Sequence, residues 1–222
     1  MVAVTGTSGK TSVSSFTRQL WQALGRPAIS LGTMGVEGDF TAPLAHTTPE
    51  PVTLHRILAE AAQHGITHVA MEASSHGLDQ RRLDGVRLEA AAFTNFSQDH
   101  LDYHADFEAY FEAKALLFER LLHEGQPAII NIDDPAGQRM AARARKSGLD
   151  LLTVGRAESA DLRILGQRYD ATGQDLHFAL HGKPQLLRLG LIGGFQAENV
   201  LAAAGLVLAG GEAPDAVLAA LP

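Results

Sequence analysis

Val2-Ala3-Val4-Thr5-Gly6-Thr7-Ser8-Gly9-Lys10-Thr11-Ser12 joins a short apolar run to a turn bracketed by two glycines, and Val13, Phe16, Leu20 and Leu24 follow at helical spacing. The run reads as a strand and the spacing as a helix. Glycine lets a backbone approach a ligand closely. The first turn of the helix then presents N–H groups and the positive end of its dipole to an anion. Such a strand–turn–helix cradles phosphate, with Lys10 reaching the outer phosphates and Thr11 offering a hydroxyl to Mg²⁺. The usual pattern places glycine at position 4, where valine stands, so the loop is the compressed form GTSGKTS. Gly6, Thr7, Ser8, Gly9, Lys10, Thr11 and Ser12 are the candidate nucleotide-binding residues. A glycine-rich turn with a solvated lysine is the plain alternative, and the strand before and helix after weigh against it.

Outward from this loop, apolar runs alternate with helical stripes. Ala28–Leu31, His68–Met71, Ala90–Phe93, Ala128–Ile132 and Leu151–Val154 read as strands. Leu54, Ile57, Leu58, Ala61 and Ala62 form a helical stripe that Gly65 ends. Phe107–Leu122 reads as a helix capped by Asp106, and Asp134-Pro135 opens another. This rhythm predicts an α/β fold, a mostly parallel sheet with helices on both faces. After about residue 160, short runs at Leu162–Tyr169, Asp175–Leu180 and Gln185–Leu189 predict a small antiparallel sub-sheet, and helix returns over Ala197–Leu208. No internal repeat or low-complexity linker is present.

The 222 residues suit one large domain, with 45% hydrophobic and 19% charged residues. A net charge of −7 argues against non-specific nucleic-acid binding, which needs a basic surface. The chain has no cysteine, which excludes disulfides, thiolate catalysis and cysteine-held zinc and agrees with a cytoplasmic setting. No apolar stretch is long enough for a membrane span. The abrupt ends suggest a piece of a longer polypeptide.

Three further features point to chemistry. Phe107, Tyr110, Phe111, Phe118 and Leu121 make one apolar stripe, and Lys114 stands on it. Either the lysine snorkels from the stripe's edge, or burial favours its neutral amine. A neutral amine can take up CO₂ as a carbamate and so become an anion able to approach Mg²⁺. The segments Met71–His76 and Asn95–His104 follow strands, where open α/β sheets place their ligands. Glu72 and His100 within them are candidate cation ligands, carboxylate oxygen being the preferred type for Mg²⁺. Asp99 or Asp102 also suits a plain turn, and His104 a solvated loop.

Taken together, GTSGKTS, HTTPE, MEASSHGLDQRR, FTNFSQDHLDYH, YFEAKALLF, IINIDD and GFQAENVLAA resemble the Mur ligases of bacterial cell-wall synthesis, the MurE type in particular, in family order over nearly the whole chain. The resemblance implies an ATP-binding central domain spanning residues 1–222. The reaction it implies is ADP-forming: ATP phosphorylates UDP-MurNAc-L-Ala-D-Glu, and a diamino acid (meso-diaminopimelate or L-lysine) attacks the acyl phosphate to leave an amide. It further implies that Lys10 contacts the ATP phosphates and that Thr11, Glu72, His100 and Lys114, the last as N6-carboxylysine, hold Mg²⁺. Thr47, Thr48, Ser74, Gln80 and Arg82 would hold the nucleotide-dipeptide, and Asn199 would lie near the adenine. Gln196 replaces an asparagine frequent in relatives. The uridine-binding and amino-acid-binding domains of full Mur ligases do not fit within these residues, so the chain alone is expected to bind ATP weakly and not to turn over. A folylpolyglutamate synthetase-like ligase shares the ATP core but not MEASSHGLDQRR, and a non-catalytic nucleotide-binding module would not need Glu72, His100 and Lys114. Binding of UDP-MurNAc-dipeptide against a folate separates the first alternative, and the Mg²⁺ dependence of nucleotide binding the second.

Overall fold

The computed structural model describes residues 1–97 and 103–221. The chain runs β1 (Val2–Thr5), α1 (Lys10–Ala23), β2 (Ala28–Gly32), β3 (Gly35–Gly38), α2 (Pro51–Gln63), β4 (His68–Glu72), α3 (Ser75–Asp79) and β5 (Ala90–Phe93). It continues α4 (Phe107–Leu116), β6 (Pro127–Asn131), α5 (Pro135–Lys146), β7 (Asp150–Gly155), β8 (Leu162–Asp170), β9 (Gly173–Leu180), β10 (Lys183–Leu189), α6 (Phe195–Ala209) and α7 (Pro214–Ala220). All the strands join one sheet in the order β10-β9-β8-β7-β6-β5-β1-β4-β2-β3. From β2 to β8 across the centre the neighbours are parallel. The meander of β8, β9 and β10 is antiparallel, as expected, but it extends the main sheet through β8 on β7 instead of standing apart.

Strand alternation sorts side chains into two cores, one on each face. Ala3, Val69, Met71, Ala91, Phe93 and Ile130 face the core beneath α2, α4 and α5. Their immediate neighbours Val2, Val4, Ala70, Ala90, Ala92 and Ile129 face the core beneath α1 and α6. Helix α1 packs over β1, β2 and β4, with the small residues Ala28 and Ala70 fully buried in that core.

The helix starts follow local chemistry. Ser74 caps α3 by accepting from Gly77 N, Asp106 caps α4 by accepting from Ala109 N, and Asp134 caps α5 by accepting from Gly137 N. Helix α1 differs: its cap is Gly9, in the left-handed region at φ 85°, with no side-chain bond to the first turn. The helix expected over Phe107–Leu122 is α-helical only to Leu116; Leu117–Leu121 widens into a π-turn. Phe107, expected on the buried stripe, is 45% exposed and packs on Phe96 instead. Strands β3 and the short helices α3 and α7 were not expected. Among the described residues, no helix is long and apolar enough to cross a membrane.

Strand β1 has β4 on one side and β5 on the other: the chain goes from β1 out to β2, returns to β4 beside β1, and then crosses β1 to β5 on its far side. A crevice opens at the carboxyl ends of strands at such a reversal. The loop after β1, the end of β4 and the residues after β5 therefore meet.

Candidate active site

The loop from Gly6 to Gly9 is braced from β5. Asn95 holds Ser8 by both ends of its carboxamide: Ser8 N donates to Oδ1 at 2.9 Å and Nδ2 donates to Ser8 O at 3.1 Å. Thr7 N donates to Asn95 O at 2.9 Å, and Thr94 Oγ1 donates to Ser8 O at 2.6 Å. Thr7 Oγ1 donates to Ser97 O and accepts from Ser97 N and from the Tyr110 hydroxyl. Both loop glycines are required. Gly6 has φ 144° and a side chain there would run into Thr94; a Cβ on Gly9 would lie 2.5 Å from Asn199 Oδ1.

Two lysines converge on one carbonyl. Lys10 Nζ donates to Gly6 O at 3.0 Å and to Thr7 O at 2.8 Å. Lys114 Nζ donates to the same Gly6 O at 2.7 Å and lies 4.3 Å above the Tyr110 ring. Lys114 is only 1% exposed, so it does not snorkel. The helix stripe carries it under the loop, where carbonyl and ring face partly compensate the burial of an amine.

Glu72 ends β4 on the other side of the loop and is also 1% exposed. Thr11 Oγ1 donates to its Oε1 at 3.0 Å, Thr33 N donates to Oε1 at 2.8 Å, and Thr33 Oγ1 donates to Oε2 at 3.3 Å. Gly32 leaves room for the carboxylate, since a Cβ there would collide with it. Thr33 Oγ1 lies 3.1 Å from Thr47 Oγ1. Thr48 Oγ1 donates to Glu72 O and accepts from Ser74 N, tying the HTTPE segment to the end of β4. Arg82 Nη1 donates to Thr48 O at 2.7 Å, and Gln80 Oε1 accepts from Arg82 Nε and Nη2. Arg81 sits in the left-handed region at φ 57°, and Arg82 N donates to Gly77 O, so the chain turns back sharply at this point.

These groups border a cleft of about 730 Å³. Thr7 to Thr11, Glu72 and Lys114 line it together with Thr47, Thr48, Ser74 and Arg82. Gly6 lies below as the shared acceptor, and Gln80 stands behind Arg82. A second cleft of about 190 Å³ shares Ser8 and Gly9 and is lined by Ser12, Asn131, Phe195, Glu198 and Asn199. Asn199 is buried there and donates to Gln196 Oε1 at 3.3 Å. Burial pushes the Glu198 carboxyl above its ordinary range, against the pull of Arg156. His100 lies outside the described residues. Among the described residues no group of three or more His, Cys, Asp or Glu could hold a metal. Thr11 and Glu72 still offer adjacent hard oxygens, which fits Mg²⁺, an ion that keeps several waters and takes one or two carboxylates with substrate phosphates.

The sequence did not point to Thr33 or Thr94, and it placed Asn95 and His76 in segments near the loop without a role for either; His76 and Thr33 line the larger cleft. Their shared signal was position: Thr33 directly follows β2, Thr94 and Asn95 directly follow β5, and His76 lies in the helix that follows β4.

The loop, the parallel sheet and the crevice at the strand reversal define a nucleotide-binding α/β domain of the phosphate-loop class. The family model for the Mur ligase middle domain matches residues 4–207, and the chain belongs to that family. The UDP-N-acetylmuramoyl-L-alanyl-D-glutamate–2,6-diaminopimelate ligase of Brucella melitensis biotype 1 is 49% identical over 227 residues, covering 100% of this chain and 45% of the relative. A solved structure titled as the same kind of ligase superposes with TM-score 0.88 at 33% identity, over 98% of this chain and 45% of that one. Mycobacterium tuberculosis folylpolyglutamate synthase complexed with ADP shares the fold, with TM-score 0.74 at 20% identity over 99% of this chain and 56% of that one. The chain spans under half the length of the curated relatives it matches.

Proposed function

We propose that the chain is the ATP-binding central unit of an ADP-forming amide ligase of peptidoglycan precursor synthesis, acting in the cytoplasm. Its acceptor is UDP-MurNAc-L-Ala-D-Glu and its amine a diamino acid. Flanking domains of the same polypeptide hold the uridine end and the amino acid. One observation carries this reading: a single cleft is lined both by the loop residues Thr7 to Thr11 and by Arg82, Thr47, Thr48 and Ser74. Two anionic substrates can thus meet there.

In this reading the nucleoside lies toward Asn199 and the second cleft, and the triphosphate crosses Gly9 into the larger one. Loop amides and Lys10 take the phosphate oxygens; Lys10 leaves the carbonyls of Gly6 and Thr7 to do so. Arg82, Gln80, Ser74 and the threonines hold the acceptor so that its carboxylate oxygen attacks the γ-phosphorus and ADP departs. The diamino acid's amine then attacks the acyl carbon, phosphate leaves, and the amine gives up a proton. Positioning and charge neutralisation are what such a transfer asks of a protein. Thr11, Glu72, His100 and a carbamylated Lys114 are the residues to hold Mg²⁺, which supplies charge neutralisation on the phosphates. Support for Lys114 is its burial beside the loop; support for Thr11 and Glu72 is their adjacent oxygens.

The test is calorimetric titration with ATP in the presence and absence of Mg²⁺, with UDP-MurNAc-L-Ala-D-Glu and with a folate, followed by a ligation assay. The expected result is Mg²⁺-dependent nucleotide binding, saturable binding of the nucleotide-dipeptide and no turnover by this chain alone. Binding of folate in place of the nucleotide-dipeptide overturns the substrate assignment. Appreciable ligation by the chain alone overturns the assigned role of the flanking domains.

A further inference from the structure

Behind Arg82 stands a row of hydrogen bonds whose direction is fixed at both ends. The Tyr103 hydroxyl donates to Asp79 Oδ2 at 2.8 Å, and Gln80 Nε2 donates to the Tyr103 hydroxyl at 3.1 Å. Gln80 Oε1 in turn accepts from Arg82 Nε at 3.0 Å and from Nη2 at 2.6 Å. A carboxylate can only accept and a guanidinium can only donate. Tyr103 has one proton, and giving it to Asp79 leaves its oxygen to accept. Gln80 must therefore turn its amine to Tyr103 and its oxygen to Arg82. With Arg82 Nη1 on Thr48 O as well, three of the guanidinium's five N–H groups are engaged, on two acceptor oxygens. One N–H on each terminal nitrogen remains for a ligand in the cleft that Arg82 lines.

We infer that Asp79 and Tyr103 are positioning residues, which orient Gln80 and through it aim Arg82 at an anionic oxygen of the acceptor substrate. The identity of that substrate rests on the function proposed above. Asp79, Gln80 and Tyr103 are exposed, and exposed polar contacts add little to stability. Their effect therefore falls on substrate affinity. The row also ties α3 to the residues that lead into α4, beside a tilted pair of His76 and Tyr103 rings whose centroids are 3.8 Å apart.

The experiment measures KM and kcat for UDP-MurNAc-L-Ala-D-Glu with the full-length polypeptide that carries this chain, for Tyr103→Phe, Asp79→Ala and Asp79→Asn, and for Tyr103→Phe combined with Arg82→Ala. Tyr103→Phe and Asp79→Ala are expected to raise KM about five-fold, the scale of one neutral hydrogen bond, with kcat changed less than two-fold and the melting temperature unmoved. Asp79→Asn retains a carbonyl acceptor and is expected to restore most of the affinity. In the Arg82→Ala background, Tyr103→Phe is expected to add no further loss. An equal loss from Tyr103→Phe with and without Arg82, or no loss at all, overturns the inference. Failure of the unaltered enzyme to use this substrate overturns the underlying function instead.

Discussion

Replacing Asn95 with alanine isolates how far the phosphate loop is held ready before nucleotide arrives. The substitution removes two side-chain bonds, Ser8 N to Oδ1 and Nδ2 to Ser8 O, but leaves the backbone bond from Thr7 N to Asn95 O. Net hydrogen-bond contributions are about 0.5–1.5 kcal/mol each. Both bonds are exposed, so about 1–2 kcal/mol of loop ordering is lost. At about 1.4 kcal/mol per decade this weakens ATP binding roughly five- to thirty-fold. Asn95→Asp separates loop ordering from charge: it keeps an acceptor for Ser8 N, loses the donor to Ser8 O and adds a negative charge beside the phosphate loop. Two unit charges about 4 Å apart interact by about 1 kcal/mol in water and about 4 kcal/mol at an effective dielectric of 20. Asn95→Asp should therefore bind ATP more weakly than Asn95→Ala, and added salt should narrow the gap between them. Titration of a fluorescent ATP analogue at two ionic strengths, beside thermal melts, reads all of this. A melting temperature that falls while the Kd of Asn95→Ala stays within three-fold would refute the reasoning, because the bonds would then serve the fold and not the loop.

Three further outcomes are expected. Gly9→Ala forces a left-handed backbone on alanine, at about 1–2 kcal/mol, and sets a methyl against Asn199; nucleotide titration should show more than a ten-fold loss, and unimpaired binding would contradict the assigned loop geometry. Asp106→Ala removes the cap on Ala109 N, costing about 1 kcal/mol, which thermal denaturation should register as a fall of about 2–4 °C for a chain of this size. Lys114→Ala in the full-length polypeptide should abolish ligation, with partial rescue by short carboxylic acids that replace the carbamate; unaltered activity ends the carbamate proposal.

Much of the fold was legible because sheet alternation and helix periodicity are local. His68–Met71 reads as a strand, and the structure sends Val69 and Met71 to one core and Ala70 to the other. Lys114 was legible as an oddity on an apolar stripe, but only the packing of α4 beneath Gly6 decided between snorkelling and burial. Strand β3 was hidden because Gly35–Gly38 carries one apolar side chain. It exists through pairing with β2, Val36 opposite Leu31, and through the Asp39 carboxylate that accepts from Ala28 N. Phe107 misled because it begins its helix, where the stripe has run past the edge of the core. The bracing of the loop by Thr94 and Asn95 joins residues nearly ninety positions apart, and no periodicity reports such a partnership. The row from Asp79 to Arg82 was invisible for the same reason, since Tyr103 enters it from a different segment.

The floor under α1 ties two alanines to the placement of the phosphate loop. Ala28 and Ala70 are small and fully buried beneath the helix that begins directly after the Gly6–Gly9 loop. A bulkier residue at either position has no void to occupy and must lift or tilt the helix. The loop at its tip is pinned to β5 by Asn95 and Thr94 and cannot follow freely. Displacement of a few tenths of an ångström would thus be felt as misaligned amides at the nucleotide before it was felt as unfolding. Drift at these two positions, beneath the helix and away from the cleft lining, is therefore constrained by the geometry of the loop as well as by packing.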